Sequence, residues 1–130
     1  KGEFMLERIT AAGAPEPRGP YSHAVRAGDL IFVSGQLAFN PETGEFESGN
    51  IGTQTRRTIE NLRLILQAAG ADLRDVTRCS VYLADVREFA EMNEVYDEFF
   101  GEAKPARTTI QAILPLKGAR VEIDCIAYKP

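Results

Sequence analysis

Short segments in which apolar and polar residues alternate predict β-strands along much of the chain. Residues 76–83 are the clearest case, because Cys79, Val81 and Leu83 alternate with Arg78, Ser80 and Tyr82. Residues 5–9 form a short apolar start, and residues 21–25 and 30–33, joined by Ala27-Gly28-Asp29, predict a hairpin. Residues 107–113 and 121–127 are rich in β-branched side chains and predict two final strands, connected through residues 114–118.

Two longer segments change to a period of 3.6 residues and predict amphipathic helices. In residues 50–70 one face collects Ile51, Thr55, Ile59, Leu62, Ile65, Leu66 and Ala69. Gly70 stands where a helix-ending glycine is expected. A second helix opens at Asp85, which with Glu88 three residues later forms a variant of the capping box, and it stops at Gly101.

The predicted order is β-β-β-α-β-α-β-β, which indicates an α+β protein. Two helices cannot cover both faces of a sheet of this size, so we expect both helices to pack on one face. The strand at 107–113 is fairly apolar on both of its faces. Such a strand in a half-covered sheet predicts that the bare face is buried by oligomerisation.

Length and composition are those of one ordinary domain. The chain has 130 residues, of which 44% are hydrophobic and 26% charged, enough for a single core and too few for two. No apolar run is long enough to span a bilayer and no secretory signal opens the chain, so we expect a cytoplasmic protein with no membrane partner. Lys1-Gly2-Glu3-Phe4 precedes a methionine and resembles an expression scar, which leaves residues 5–130 as the domain.

The charge balance argues against nucleic acid as a partner. Net charge is −4, with 15 Lys and Arg against 19 Asp and Glu, and the basic residues are scattered along the chain. Tight binding of nucleic acid draws its affinity from clustered basic side chains, and no such cluster is present in the sequence.

Two cysteines lie on predicted strands at inward-facing positions. The favoured interpretation of Cys79 and Cys125 is two small core residues, with a disulfide or a reactive thiol as the alternatives.

Arg107 offers the best indication of chemistry in a chain with a single histidine and no nucleotide-binding loop. It opens one predicted strand, and Glu122 and Asp124 lie on the strand that we expect to be its hairpin partner. This pattern predicts an anion site with a base beside it, since a guanidinium binds a carboxylate bidentately. The alternative is a structural ion pair.

Six segments along the chain carry a recognisable ordered set of motifs. They are Gly19-Pro20-Tyr21-Ser22-His23-Ala24-Val25, Val33-Ser34-Gly35-Gln36, Asn40-Pro41-Glu42-Thr43-Gly44, Met92-Asn93-Glu94-Val95-Tyr96, Pro105-Ala106-Arg107 and Val121-Glu122-Ile123-Asp124. Taken together and in order, they resemble the reactive intermediate deaminase family, which is also called YjgF or RidA and carries the older labels endoribonuclease and liver perchloric-acid-soluble protein. Each motif is weak alone, and the resemblance extends over essentially residues 5–128.

The resemblance implies a chorismate-mutase-like α+β fold and a homotrimer with three clefts between subunits. It also implies hydrolysis of 2-imino acids, such as 2-iminobutanoate and 2-iminopropanoate, to 2-keto acids and ammonia, with no cofactor or metal. By position, Arg107 corresponds to the carboxylate-binding arginine and Glu122 to the water-activating glutamate. The resemblance assigns further substrate-binding positions to Tyr21, Ser34, Gly35, Asn93 and Thr109.

This sequence departs from the family at two positions. Thr109 replaces a cysteine found in some members, which rules out a thiol mechanism there but keeps a backbone N–H and a hydroxyl. His23 stands where glutamine is frequent, and we expect an interface or surface histidine rather than a catalytic one.

Each candidate also has a structural interpretation. Glu122 alone is an ordinary edge-strand carboxylate, Tyr21 a core or interface aromatic, and Asn93 a solvated helix residue. Ser34-Gly35 interrupts an apolar run and predicts a bulge or a close backbone approach. Two other functions stay open, an endoribonuclease or translation inhibitor and a non-catalytic trimer that binds small carboxylates.

Overall fold

One mixed sheet and two helices make up the fold. The structure is a computed structural model that describes residues 5–130. The strands are β1 (Leu6–Ile9), β2 (Ala24–Ala27), β3 (Leu30–Gln36), β4 (Val76–Leu83), β5 (Ala106–Gln111) and β6 (Val121–Tyr128), and the helices are α1 (Ile51–Ala68) and α2 (Phe89–Phe100). The α+β class and the predicted order of elements are confirmed.

The strand order in the six-stranded sheet is β1-β2-β3-β6-β4-β5. All pairs are antiparallel except β4 with β5, where the crossover through α2 makes the two strands parallel. The expected hairpin between the last two strands is therefore wrong, because β4 lies between β5 and β6.

Both helices pack on one face of the sheet, as predicted. On β4 from Cys79 onward, and on β6 from Val121 onward, every second side chain is buried against the helices. The side chains between them are half-buried or exposed. The core joins these strands to the helices through Ile31, Val33, Ile59, Leu62, Ile65, Leu66, Val81, Leu83, Met92, Phe100, Ile123 and Ala127. The opposite face is left bare and exposes Phe32, Ile110 and Tyr128.

The ends of α1 are formed by the residues that the sequence indicated. The Asn50 side chain accepts a hydrogen bond from the Thr53 N–H at 2.9 Å. At the other end Gly70 has φ 84, and the amides of Gly70 and Ala71 donate to the carbonyls of Gln67 and Leu66. This pattern is a Schellman motif. It requires one residue in the left-handed backbone conformation, which only glycine adopts without strain.

Three predicted boundaries need correction. Tyr21 precedes β2 instead of lying within it, because pairing with β3 begins only at the carbonyl of His23, which accepts from the Ser34 N–H. The third strand runs on to Gln36. Asp85 caps a single 3₁₀ turn at Val86–Glu88, so α2 begins only at Phe89.

The two cysteines are core residues, as the favoured interpretation held. Cys79 and Cys125 are free, buried and directly opposite each other on β4 and β6. Burial raises the pKa of the Cys79 thiol to about 11, which makes it unreactive at neutral pH. Among residues 5–130, no helix has the length and apolar character to cross a membrane.

Candidate functional site

Four of the predicted site residues meet in one open depression on the bare face, which we call the Glu122 cleft. It is lined by Tyr21, Ser34, Gly35, Leu37, Pro115 and Glu122. Because side chains alternate along β6, the buried Ile123 and Cys125 place Glu122 on the face away from the helices. The cleft thus combines a carboxylate with hydroxyl groups at the bare side of the sheet.

Gly35 brings the backbone of β3 directly beneath the Glu122 carboxylate. The register between β3 and β6 shifts between Val33 and Gln36, which confirms the predicted irregularity at Ser34-Gly35. A Cβ atom on Gly35 would overlap the Oε2 atom of Glu122. Glycine is therefore favoured here by the close approach of Glu122 and not by its backbone angle, since its φ is not positive.

The surroundings of Glu122 favour its protonated form more than water does. Burial raises the pKa of Glu122, and the charge of Asp124, two residues along the same strand, raises it further. The Tyr82 hydroxyl donates to Oδ2 of Asp124 at 3.2 Å and so keeps that second carboxylate in place. A glutamate with a raised pKa is better suited to accept a proton from water near neutral pH.

Two hydroxyl groups flank Glu122 with different hydrogen-bonding capacities. Ser34 Oγ donates to the Ser22 carbonyl at 2.7 Å, so its oxygen remains able to accept. Tyr21 Oη accepts from the Arg18 N–H at 3.1 Å, so its proton remains able to donate. The Tyr21 ring is 48% exposed, which agrees with a cleft wall and excludes the core alternative.

Two of the other predicted residues, Asn93 and Arg107, lie in a second depression, which we call the Arg107 groove. Its lining also includes Glu94, Tyr96, Asp97, Lys104 and Pro105. Arg107 pairs with Cys79 in the β4–β5 register and therefore points toward the helix-covered side. The half-buried Thr109 follows two residues later on the same side, and its buried hydroxyl has no hydrogen-bond partner among the described residues.

Aromatic rings hold the Arg107 guanidinium. Its central carbon lies 4.7 Å from the Tyr96 ring centroid and 5.5 Å from that of Phe89. Among residues 5–130 it forms no ion pair or side-chain hydrogen bond with a carboxylate, so the alternative of a pair with Glu122 or Asp124 is wrong within one chain. Sequence reasoning overlooked the two rings, although their spacing of seven residues on one helical face was a usable signal.

Arg107 and Glu122 lie on opposite faces of the sheet. In the β4 registers Arg107 pairs with Cys79 and Glu122 with Tyr82, and these two β4 positions point to opposite sides. A base beside the arginine within a single chain, as the sequence suggested, is therefore wrong. Within one chain the two side chains therefore face away from each other.

His23 has a structural position. It is 5% exposed, its Nδ1 atom accepts from the Ala11 N–H at 2.9 Å, and its Nε2–H donates to the Pro15 carbonyl at 2.7 Å. The expectation of a surface or interface histidine is wrong, because this imidazole is buried under the loop that precedes Tyr21. Its two hydrogen bonds hold that loop in place.

Gly35→Ala is expected to impair any chemistry that depends on Glu122 and to leave the fold intact. The new methyl group displaces the end of a flexible side chain, so we expect turnover to fall by about 10-fold or more while the unfolding midpoint changes little. The matched control is Gly13→Ala, since nothing lies within 4 Å of a Cβ at Gly13. Thermal unfolding and steady-state rates of both variants test this, and unchanged rates in Gly35→Ala would show that the Glu122 position is unimportant.

A mixed sheet that carries both helices on one face and leaves the other bare defines a class of small α+β proteins. Residues 11–129 match the model of the Endoribonuclease L-PSP family, and the chain belongs to this family, whose members are also named Rid, YjgF or RutC proteins. A RutC family protein of Pyrococcus horikoshii is 49% identical over 125 residues, 96% of this chain and 99% of that protein. The chloroplastic Reactive Intermediate Deaminase A of Arabidopsis thaliana is 43% identical over 93% of this chain and 65% of its own length.

Solved structures support the same assignment. Escherichia coli TdcF with bound serine is 36% identical and superposes with a TM-score of 0.88 over 95% of this chain and 99% of that one. RidA from an Antarctic Psychrobacter is 41% identical, also with a TM-score of 0.88, over 94% and 98% of the two chains.

Proposed function

We propose that the protein is a cofactor-independent deaminase that hydrolyses small 2-imino acids, such as 2-iminobutanoate and 2-iminopropanoate, to 2-keto acids and ammonia. The observation that carries this proposal is that the Arg107 guanidinium faces an open groove without a carboxylate partner in the described chain. A half-buried guanidinium without an anion is unfavourable, and the carboxylate of a small substrate supplies one. A relative named for deamination of reactive intermediates supports the same activity.

The site is proposed to form between copies of the chain in a closed homotrimer. Arg107 and Glu122 lie on opposite faces of the sheet, so a head-to-tail contact is needed to bring the Arg107 groove of one copy to the Glu122 cleft of the next. The bare face exposes Phe32, Ile110 and Tyr128, apolar side chains that such a contact would bury.

The proposed reaction begins with a carboxylate clamp. Arg107 of one copy binds the substrate carboxylate bidentately and fixes the imine carbon over the Glu122 cleft of the next copy. Glu122 takes a proton from water as the water oxygen adds to the imine carbon, and Glu122 passes this proton to the imine nitrogen to give a carbinolamine. Glu122 then takes the proton of the carbinolamine hydroxyl and delivers it to the amino nitrogen, so that the carbon–nitrogen bond breaks, ammonia leaves, the carbon–oxygen double bond of the 2-keto acid forms and Glu122 is regenerated.

The other candidate residues orient these species. The free proton of Tyr21 can donate to the substrate, and the oxygen of Ser34 can accept from the attacking water. In the Arg107 groove the Asn93 amide can bind the carboxylate end, and the buried Thr109 hydroxyl, which has no hydrogen-bond partner among the described residues, lies two residues along β5 from Arg107. Positioning carries most of the effect, because imines also hydrolyse in water.

The oligomer is predicted to be a trimer of the 14.3 kDa chain at micromolar concentration. Multi-angle light scattering checks the mass directly. A monomer would contradict both the trimer and a site shared between copies.

The activity itself is tested by the release of ammonia and keto acid from freshly generated 2-iminobutanoate. We expect turnover above the rate in buffer without added metal or cofactor. Absence of turnover together with tight binding of 2-oxobutanoate would favour the non-catalytic carboxylate-binding trimer. Cleavage of RNA by nuclease-free protein that is lost in Glu122→Gln would favour the endoribonuclease.

A further inference from the structure

A further cavity lies beside the Glu122 cleft, and most of its wall is apolar. It measures about 270 Å³, and we call it the apolar chamber. Its apolar walls are formed by Pro15, Pro17, Leu37, Phe39, Pro115 and Leu116. It shares Tyr21, Gly35, Leu37 and Pro115 with the Glu122 cleft, so the two spaces are direct neighbours.

Five polar side chains line the apolar chamber, and three of them, those of His23, Gln36 and Arg18, bond to the protein itself, whereas Glu16 is exposed and the Tyr21 hydroxyl keeps a free proton. Both ring nitrogens of His23 bond to backbone groups, and Gln36 Nε2 donates to the carbonyls of Ser34 and Gly35 at 3.3 Å each. The Arg18 guanidinium lies 3.9 Å from the centre of the Phe39 ring and donates to the Gly44 carbonyl. Apart from the exposed Glu16 and Tyr21, the wall is thus apolar or already bonded to the protein, which favours an apolar occupant.

The walls of the chamber are fixed from behind by buried side chains. The fully buried Asn61 of α1 donates to the carbonyls of Leu37 at 3.1 Å and Phe39 at 2.9 Å. His23 holds the loop that carries Pro15 in the same way. These bonds keep the space open without a ligand, and a preformed pocket binds without the cost of ordering its walls.

We propose that the apolar chamber binds the substrate side chain and selects 2-imino acids with branched or aromatic apolar side chains over the smallest ones. The proposal rests on the deaminase function proposed above and names its substrate class. With the carboxylate directed to Arg107 of the neighbouring copy and the imine carbon over Glu122, the side chain and the imine nitrogen are the remaining substituents. Of these the side chain is apolar, and the shared wall of Tyr21 and Leu37 leads it into the chamber. A cavity of about 150 Å³ can hold benzene, so the space suffices for an isobutyl or benzyl group.

Leu116→Trp tests the chamber without changing the Glu122 cleft. Leu116 lines the chamber but not the cleft, and an indole there fills the space. With imines generated in situ from leucine and alanine by an amino-acid oxidase, we expect kcat/KM for the leucine-derived imine to fall by about 10-fold or more and that for the alanine-derived imine by less than about 3-fold. Leu116→Ala, which enlarges the chamber, should raise kcat/KM for the phenylalanine-derived imine relative to the leucine-derived one.

Lys117→Trp is the matched control, because Lys117 is exposed on the same loop and does not line the chamber. It should leave both rates unchanged. Equal losses for the leucine-derived and alanine-derived imines in Leu116→Trp, or no loss for either, would overturn the proposal.

Keto-acid binding separates this proposal from the deaminase function. By calorimetry, 4-methyl-2-oxopentanoate should bind the unmodified protein more tightly than pyruvate and lose that advantage in Leu116→Trp. This result supports the chamber even if no imine is turned over, an outcome in which only the deaminase function fails. Equal affinity for the two keto acids in the unmodified protein would contradict the chamber as a side-chain site.

Discussion

Arg107→Ala is expected to abolish carboxylate binding and to lower kcat/KM for imine hydrolysis by roughly 10²-fold or more. The reason is that each charge-assisted hydrogen bond from the guanidinium to the carboxylate contributes about 1.5–3 kcal/mol. Alanine leaves the substrate anion with no replacement partner at this end of the groove. Steady-state deamination, paired with calorimetric titration of 2-oxobutanoate, measures both losses. The variant should remain a folded trimer, since it loses only the contacts of Arg107 with Phe89 and Tyr96.

Two further variants distinguish a ligand-binding arginine from a structural one. Arg107→Lys keeps the charge but not the bidentate fork, so we expect partial recovery of binding. The control is Arg56→Ala, which removes an ion pair between Arg56 and Glu98 at the surface, where the two side chains are 47% and 53% exposed. It should alter neither binding nor activity, because exposed ion pairs contribute little. If Arg107→Ala binds the keto acid as tightly as the unmodified protein, Arg107 is not the anion site.

The local elements could be predicted from the sequence, whereas one strand pairing could not. Alternation in 76–83 and 121–127 is a property of each segment alone, and it indicated both the strands and their inward faces. The pairing of β5 with β4 instead of β6 depends on contacts between distant segments. A short connection after β5 suggested a hairpin, but the parallel crossover through α2 places β5 at the edge of the sheet.

Some features of the candidate site could also be predicted from the sequence, and others could not. The interruption at Ser34-Gly35 indicated a close backbone approach, and the structure shows Glu122 as the group that approaches. The burial of His23 could not be predicted, because it arises from the packing of an irregular loop that has no periodicity. The assignment of Arg107 and Glu122 to one site came from the expected hairpin and from the family resemblance, and their opposite faces became evident only from the sheet register.

Glu122→Gln is expected to lower turnover by roughly 10²–10⁴-fold, the scale typical of the loss of a general base. Glutamine keeps the size of the side chain above Gly35 but cannot accept a proton from water. Binding of 2-oxobutanoate should persist, because its carboxylate binds to the Arg107 groove. In the unmodified protein the acid limb of kcat/KM should lie above the pKa of a free glutamate, since the base must be ionised and burial raises the pKa of Glu122. Unchanged turnover in Glu122→Gln would exclude this residue as the base.

Mixing the two inactive variants tests whether the site is shared between copies. If Arg107 of one copy acts with Glu122 of the next, then co-refolding Arg107→Ala and Glu122→Gln chains at equal ratio creates sites that have both native side chains. In a closed ring with random exchange, about one quarter of the sites are complete, so we expect up to about one quarter of the native activity. Two residues acting within one chain give no recovery at any ratio, because every chain then lacks one of them. The opposite faces of Arg107 and Glu122 lead us to expect recovery, and a mixed trimer without activity would require the site to be placed elsewhere.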